Sequence, residues 1–233
     1  LDTNLPENRP GDRAITERLY GGDQTMRLKQ ELVLGIGGVR MLRALGYRDV
    51  RTFHLNEGHA AFLTLELQRE RGFKDDDVRK SCVFTTHTPV KAGHDIFPYD
   101  LAKRIAGDHL PWHIKEIAGE GALSMTHLAM TMSHKTFGVS QVHGEVARRL
   151  LENPAIDFVT NGIHHVAWAC EPMRSLFDRH MPGWREDPKL LEGRCRDLPD
   201  SELWAAHQEA KRALLDEVNK IAEVPFDLDH LLI

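Results

Sequence analysis

Short apolar runs alternate along this chain with longer stretches of helical periodicity. Four of these runs have the length and the polar termination of buried strands, and they span 49–55, 82–84, 135–140 and 157–159. Apolar positions at helical spacing predict helices around them, at 26–45, 60–70, 123–134, 146–151 and 200–222. Strands that alternate with helices predict an α/β fold on a parallel sheet.

Glycines interrupt the first of the predicted helices. Gly35, Gly37 and Gly38 fall in the middle of 26–45 without abolishing its apolar spacing. They do not form a phosphate-binding loop, because no strand precedes them and no Gly-Lys-Ser/Thr follows. We expect them to permit close approach of a second helix. The charged stretch 72–80 and the polar stretch 141–145 are predicted to be loops or turns.

Each predicted strand ends in polar residues. The first is followed by Asn56-Glu57-Gly58-His59, and the second by Thr85 to His94 with His87 among hydroxyl residues. Ligands of α/β proteins bind at the carboxyl ends of parallel strands, so these loops are candidates for a polar binding site. Purely structural roles are also open: Asn56 is suited to cap the following helix, and the threonines and His87 to satisfy loop backbone groups.

Composition narrows the choice of partners. The formal net charge of −5, with both signs interspersed, argues against a nucleic-acid surface. No apolar run approaches the length of a membrane helix. Three scattered cysteines without C-x-x-C spacing indicate a reducing compartment, which predicts a cytoplasmic protein.

Catalytic motifs of several common kinds are absent from the sequence. Glu57, His59, His87, His94 and His143 could converge at the sheet edge, but no H-E-x-x-H spacing is present, and we do not expect a metal. There is no G-x-S-x-G nucleophile elbow. Asparagine, histidine, threonine and glutamate with little net charge suit a neutral, hydroxyl-rich ligand such as a sugar.

Six motifs in the same order resemble the α-glucan (glycogen and maltodextrin) phosphorylases, and most closely the shorter bacterial and archaeal type. The motifs are Tyr20-Gly21-Gly22-Asp23 with Arg27-Leu28-Lys29-Gln30-Glu31, Leu55-Asn56-Glu57-Gly58-His59, Thr85-Thr86-His87-Thr88-Pro89 with Gly93-His94, Met125-Thr126-His127-Leu128-Ala129 with Ser133-His134, Gly138-Val139-Ser140 with His143-Gly144-Glu145, and Val159-Thr160-Asn161-Gly162-Ile163-His164.

The resemblance implies part of a GT-B fold, which consists of two Rossmann-like domains with the active site between them. Residues 1–199 would belong to the N-terminal domain, as its second half. Residues 200–233 would form the linking helix and the start of a C-terminal domain. The chain begins without methionine, and it ends in the apolar stretch 226–233 where a strand would begin, so we expect a fragment of a larger protein.

The implied reaction is phosphorolysis of α-1,4-glucan or maltodextrin to glucose 1-phosphate. The implied cofactor is pyridoxal phosphate, whose lysine and the cations that hold substrate phosphate would lie in the second domain. This chain alone is therefore expected to bind no cofactor and to be inactive. The full-length protein is expected to be a homo-oligomer.

The resemblance also assigns site residues. His87 would be the catalytic residue, lying against the glucosyl ring and helping through its backbone carbonyl to stabilise developing positive charge. Asn161 would bind the primary hydroxyl of the sugar. His59 and Glu57 would line the same pocket, and Asn56, Thr88 and Asp23 complete the predicted substrate-binding set. The spacing around Asp23 departs from that of the longer enzymes.

Two other functions remain open at this point. One is a glucan-binding or interaction module without catalysis, which would bind saccharide by itself. The other is a GT-B glycosyltransferase that uses a nucleotide sugar without pyridoxal phosphate.

Overall fold

The computed structural model describes residues 1–19 and 21–231. The chain divides into two compact units, Leu1–Asn161 and Gly162–Ile233. Tyr20 of the first motif and the last two residues of the C-terminal apolar stretch lie outside the described residues. The predicted assignment of 1–199 and 200–233 to two GT-B domains stays a prediction.

The described part of the first unit contains two sheets. The strands in chain order are β1 (Phe53–Asn56), β2 (Cys82–Thr85), β3 (Ile96–Phe97), β4 (Leu123–Ser124), β5 (Lys135–Gly138) and β6 (Asp157–Phe158). A four-stranded parallel sheet has the order β1-β2-β5-β6, and β3 pairs with β4 as a short antiparallel ribbon. The predicted α/β class and all four predicted parallel strands are confirmed. The ribbon was not predicted, because two-residue strands leave too short a pattern.

Helices precede, separate and follow these strands along the chain. They are α1 (Pro10–Arg13), α2 (Gln24–Leu32), α3 (Gly38–Ala44), α4 (Phe62–Glu70), α5 (Asp75–Ser81), α6 (Tyr99–Ala106), α7 (Ile114–Ala118), α8 (Met125–Thr131), α9 (Gln141–Leu150), α10 (His165–Trp168), α11 (Glu171–His180), α12 (Lys189–Arg194) and α13 (Asp200–Val218). A π-helical turn, Val33–Gly37, joins α2 to α3, and short 3₁₀ turns lie at Gly58–Ala60, Lys91–Gly93, Gly107–His109 and Cys195–Asp197.

The glycine-containing helix shows why a glycine is needed at one position. A Cβ on Gly35 would lie 2.6 Å from the backbone nitrogen of Leu63 in α4, whereas one on Gly38 would meet nothing within 4 Å. The prediction of close helix approach is therefore confirmed for Gly35. The π-helical turn falls at this contact, and such turns often mark functional sites.

Two of the predicted loops are helical. The stretch 72–80 contains most of α5, whose first turn carries Asp75, Asp76 and Asp77 and so complements the helix dipole. The stretch 141–145 is the start of α9, where the Ser140 side chain caps the helix by accepting a hydrogen bond from the His143 backbone N–H. Both predictions were wrong, because the aspartates that complement the dipole of α5 and the Ser140 cap of α9 outweigh a polar composition.

The core of the first unit lies between one face of the sheet and the helices packed on it. Phe53, Leu55, Cys82 and Phe84 point from β1 and β2 into this core, and the side chains between them are exposed or half-buried. This alternation places the buried apolar side chains of β1 and β2 on one face of the sheet.

The second unit has a smaller core of its own. Trp184 is fully buried, and it packs with Leu176, Met181, Leu198 and Ala206. Its indole N–H donates to Asp178 Oδ1 at 2.8 Å. Among the described residues, no helix is both long and apolar enough to cross a lipid bilayer.

Candidate functional site

A cavity of about 920 Å³ opens where β1 and β2 end. We call it the β1–β2 cavity. Its walls come from the first unit alone: Arg27, Leu34, Gly35, His54, Asn56, Glu57, Gly58, His59, Ala60, Leu63, His87, Thr88, Gly93, His94, Asp95 and Thr126. The volume lies in the range of about 300–1,000 Å³ that is typical of small-molecule sites. The predicted site residues Asn56, Glu57, His59, His87 and Thr88 meet here.

Glu57 connects the ends of the two strands. One carboxylate oxygen accepts hydrogen bonds from the His87 backbone N–H at 2.7 Å and from Thr88 Oγ1 at 2.9 Å. The other oxygen accepts from the Gly58 backbone N–H at 2.8 Å. The Glu57 backbone N–H donates to the Thr85 carbonyl at 2.9 Å. The loop that carries His87 is thus fixed from the neighbouring strand.

The backbone at Glu57 is unusual for a residue with a side chain. Its φ is +72°, in the left-handed region that residues other than glycine rarely adopt. Strain of this kind clusters at functional sites, where surrounding interactions hold it. Here the interactions are those of the Glu57 carboxylate, which also caps the Gly58–Ala60 turn. The expected capping role of Asn56 was wrong, because the chain turns one residue later than the motif suggested.

His87 and His59 present imidazole rings to the cavity. The Nε2 atom of His87 is buried and has no hydrogen-bond partner among the described residues. Burial lowers the pKa of His59, and the nearby Arg27 and His87 act in the same direction, while Glu57 opposes them. Since the lowered pKa falls below the ordinary value of 6.5, His59 is mainly neutral at pH 7.

An ion pair forms another part of the wall. Arg27 Nη2 lies 2.6 Å from Asp95 Oδ2 and 3.4 Å from Glu31 Oε1. Burial, reinforced by the Asp95 charge and opposed by Arg27, raises the pKa of Glu31 to about 9. Glu31 is therefore protonated at pH 7, and the charges of Arg27 and Asp95 offset one another. Beside this pair, the wall carries the Glu57 carboxylate.

Several of these wall residues were not predicted from the sequence as site residues. Arg27 stands in the first of the six motifs and Thr126 in the fourth, so the signal was present. His94 was expected only among the groups that converge at the sheet edge, without a role in substrate binding. Asp95 follows His94 directly. The motifs alone do not indicate that these side chains lie close to the ends of β1 and β2.

Two predicted substrate-binding residues lie elsewhere in the first unit. Asn161 follows β6, is exposed, and donates its backbone N–H to the Val139 carbonyl at 3.0 Å. Asp23 caps α2 by accepting from the Met26 backbone N–H at 2.9 Å. Neither is among the residues that line the β1–β2 cavity, and their substrate contacts stay predictions.

The expected convergence of five histidine and glutamate residues is partial. Glu57, His59, His87 and His94 line the cavity, while His143 is buried beside β5, where its Nδ1 accepts from the Val139 backbone N–H at 3.2 Å. Within residues 1–19 and 21–231, no group of three or more histidine, cysteine, aspartate or glutamate side chains is placed to hold a metal ion.

Comparison with known proteins agrees with the motifs. No protein-family model matches the chain. It is 36% identical over 246 residues to maltodextrin phosphorylase of Thermococcus litoralis, an alignment that covers 94% of this chain and 29% of that protein. It is 35% identical over 258 residues to glycogen phosphorylase of Mycobacterium tuberculosis, with the same coverage. Glycogen phosphorylase of Aquifex aeolicus is 33% identical over 246 residues, which are 94% of this chain and 35% of that protein.

The chain thus spans about a third or less of the length of the curated relatives that it matches. The resemblance predicted from six motifs is confirmed, and over nearly its whole length this chain corresponds to one segment of the maltodextrin and glycogen phosphorylases, the α-glucan phosphorylase family.

Proposed function

We propose that this chain is a segment of an α-glucan phosphorylase, the glycosyltransferase that moves glucosyl units from α-1,4-glucan to phosphate and releases glucose 1-phosphate. The segment would supply the glucosyl-binding wall of the active site. The observation that carries the proposal is the Glu57 carboxylate, which holds the His87 backbone N–H at 2.7 Å on the rim of the β1–β2 cavity. Sequence similarity over 94% of the chain supports the same reaction class.

His87 is the proposed catalytic residue. Its backbone carbonyl would face the charge that develops on the sugar ring as the glycosidic bond breaks, and its Nε2 atom would bind a sugar hydroxyl. Glu57 would act through His87, by fixing the loop before substrate arrives, which reduces the reorganisation needed in the transition state. Thr88 is held by the same carboxylate.

The remaining predicted residues would bind substrate. Neutral His59 can donate one hydrogen bond and accept another, as a sugar hydroxyl requires. Asn56 lines the same cavity. Asn161 would bind the primary hydroxyl and Asp23 would approach from its loop once substrate or the rest of the enzyme is in place.

Pyridoxal phosphate does not fit the cavity walls described here. An aldehyde cofactor of this kind is held through a lysine, and no lysine is among the described residues that line the cavity. Arg27, the one arginine in this part of the described chain, is paired with Asp95. We therefore propose that the cofactor and the substrate phosphate bind to residues outside this chain, in a second Rossmann-like domain of a GT-B fold.

The setting proposed for the whole enzyme is a cytoplasmic homo-oligomer that acts on glucan or maltodextrin. A second candidate for the chain taken by itself is a glucan-binding module without catalysis, because the one Lys or Arg side chain among the described residues of the cavity wall, Arg27, is paired with Asp95. A transferase that uses a nucleotide sugar has no such support, because a diphosphate would need cations at the same wall.

The test is phosphorolysis by the complete gene product that contains this sequence. We expect glucose 1-phosphate from maltodextrin and phosphate, together with the absorbance of a bound pyridoxal group. The isolated chain should give no product. Product formation from a nucleotide sugar without phosphate, or binding of maltodextrin by a complete gene product that releases no glucose 1-phosphate, would contradict the proposal and favour one of the alternatives.

A further inference from the structure

His94 lies on the wall of the β1–β2 cavity, and neither the motifs nor the proposed function give it a role. Its Nδ1 atom is 2.8 Å from Thr126 Oγ1, and its Nε2 atom is buried without a hydrogen-bond partner among the described residues. Buried polar atoms in native proteins are nearly always paired, so each exception calls for an explanation. A ligand in the cavity is one such explanation.

The ring of His94 is held from the backbone as well as by Thr126. The residue after it, Asp95, accepts a hydrogen bond at its carbonyl from the Met125 backbone N–H at 3.1 Å. Immediately beyond, β3 pairs with β4, with Ile96 opposite Ser124. The ribbon therefore places the segment that bears His94 alongside the first turn of α8, which bears Thr126.

A glycine of the β1 loop permits this arrangement. A Cβ on Gly58 would lie 3.0 Å from Thr126 Oγ1 and 3.1 Å from the Thr126 backbone nitrogen. Because both distances are tighter than ordinary contacts, a larger residue would push Thr126 away from His94. Three separate motifs, those containing Gly58, His94 and Thr126, thus meet at one hydrogen bond.

The chemistry of the pair selects the type of ligand. If Thr126 donates to Nδ1, the Nε2 atom of His94 carries the proton and donates; in the reverse tautomer Nε2 accepts. A hydroxyl group can complement either form. The Nε2 atom of His87 is likewise buried and unpartnered among the described residues of this cavity. Two imidazole nitrogens without partners on one wall fit a ligand with several hydroxyl groups.

We propose that His94 is a substrate-binding residue, whose Nε2 atom hydrogen-bonds a hydroxyl group of the glucan, and that Thr126 is its positioning residue. The identity of the ligand as a glucan rests on the proposed function. The step beyond that function is the assignment of His94 and Thr126, which act on the sugar and not on phosphate.

The experiment uses the complete gene product and four variants of the pair, His94→Ala, His94→Gln, Thr126→Val and Thr126→Ser. We expect His94→Ala to raise the KM for maltodextrin and the calorimetric Kd for maltoheptaose by about fivefold to tenfold, the usual loss for one neutral hydrogen bond. The KM for phosphate should not change. Thr126→Val should raise the KM for maltodextrin and the Kd for maltoheptaose by a smaller factor. Thr126→Ser, which keeps the hydroxyl, should have wild-type values of both. His94→Gln should fall between wild type and His94→Ala.

Controls separate this inference from the proposed function. His109→Gln replaces an exposed histidine that does not line the cavity, and it should leave all constants unchanged. If wild type releases no glucose 1-phosphate but binds maltoheptaose, and His94→Ala weakens that binding, the His94 inference stands while the proposed function fails. If a folded, active His94→Ala protein has an unchanged KM for maltodextrin and an unchanged Kd for maltoheptaose, the His94 inference is overturned and the proposed function is not. An equal rise in both KM values with a lowered Tm assigns His94 a structural role and also overturns it. No binding of maltoheptaose by wild type overturns both.

Discussion

The strand ends of the parallel sheet use the same sequence pattern for two different purposes. At β1 and β2, polar side chains cross from one strand end to the other and form a cavity wall, as Glu57 does toward His87 and Thr88. At β5, the polar residues form hydrogen bonds within their own segment of the chain. Ser140 caps α9, and His143 accepts from the Val139 backbone N–H.

The difference lies in where each carboxyl or imidazole group finds its partner. Glu57 reaches a loop 30 residues away in sequence, so its contacts order a surface that a ligand can share. His143 finds its partner four residues away, so its contacts order only the turn. A polar residue after a strand therefore indicates a ligand site when its partner lies on a neighbouring strand end, and a cap when its partner is local.

Replacing Glu57 should have the largest effect, because it removes the connection between β1 and β2. In Glu57→Ala, the His87 and Gly58 backbone N–H groups lose their acceptor. We expect kcat/KM for phosphorolysis to fall by about 100-fold, the loss that follows displacement of a reacting group by about 1 Å. Steady-state kinetics of the complete gene product measures this. Glu57→Gln, which keeps one acceptor oxygen, should lose less.

The proposed difference between the ends of β1 and β2 and the end of β5 would be wrong if Glu57→Ala were folded and as active as wild type. A melting curve for each variant distinguishes loss of the fold from loss of the loop geometry alone.

Gly138→Ala should affect stability at the β5 end without a specific effect on substrate. The new Cβ would lie 2.8 Å from His143 Nδ1 and 2.9 Å from the Gly144 backbone nitrogen. Overpacking of this kind costs about 1–3 kcal/mol of unfolding free energy. Urea denaturation measures it. Gly121→Ala is the matched control, because its Cβ would meet nothing within 4 Å. If Gly138→Ala instead left stability intact and raised the KM for glucan, the β5 end would belong to the site.

Glu31, the buried partner of Arg27, should make the stability of the protein sensitive to pH. Its pKa rises from 4.5 to about 9 on folding, so the folded state holds a proton that the unfolded state releases between those values. Its contribution to stability is fully present below pH 4.5 and is lost as pH rises toward 9. Glu31→Gln mimics the protonated form. It should raise the unfolding free energy at pH 8 relative to wild type by an amount on the order of 1–3 kcal/mol.

The stability difference between Glu31→Gln and wild type should shrink as pH falls toward 5. Denaturation curves across this pH range test it. Glu145→Gln, at an exposed position in α9, should show no such trend. A Glu31→Gln curve parallel to that of wild type at all pH values would mean that Glu31 is ionised in the folded protein.

Replacing Asn161 should have the smallest effect, and it tests most directly whether substrate contacts are confined to the ends of β1 and β2. The resemblance predicts that it binds the primary hydroxyl of the sugar, although it follows β6 and lies outside the β1–β2 cavity. If that prediction holds, Asn161→Ala should raise the KM for maltodextrin by about fivefold to tenfold without changing Tm. Thr160→Ala, at the neighbouring exposed position, is the control. An unchanged KM would confine substrate binding to the first two strand ends.

Much of the fold could be predicted from the sequence, since alternating apolar runs and helical spacing identified all four parallel strands and the longest helix, α13. The predictions failed where signals were short or composition misled, as in the two-residue ribbon β3–β4 and the helical starts at Asp75 and Gln141. For the site, His59, Glu57 and His87 were found because they follow strands directly. His94 was expected at the sheet edge but was given no role in substrate binding, and Thr126 was missed because only its hydrogen bond to His94, beside the ribbon, brings it to the cavity.

The sequence by itself determined the α/β class, the strand ends that carry polar residues, and the similarity to α-glucan phosphorylases, because periodicity and motif order are local or linear properties. The tertiary structure decided which polar residues share a wall. The left-handed backbone of Glu57, the neutral state of Glu31 and the close approach of Gly58 to Thr126 all depend on neighbours far away in sequence. Distances and burial of that kind arise only from packing, so no linear pattern contains them.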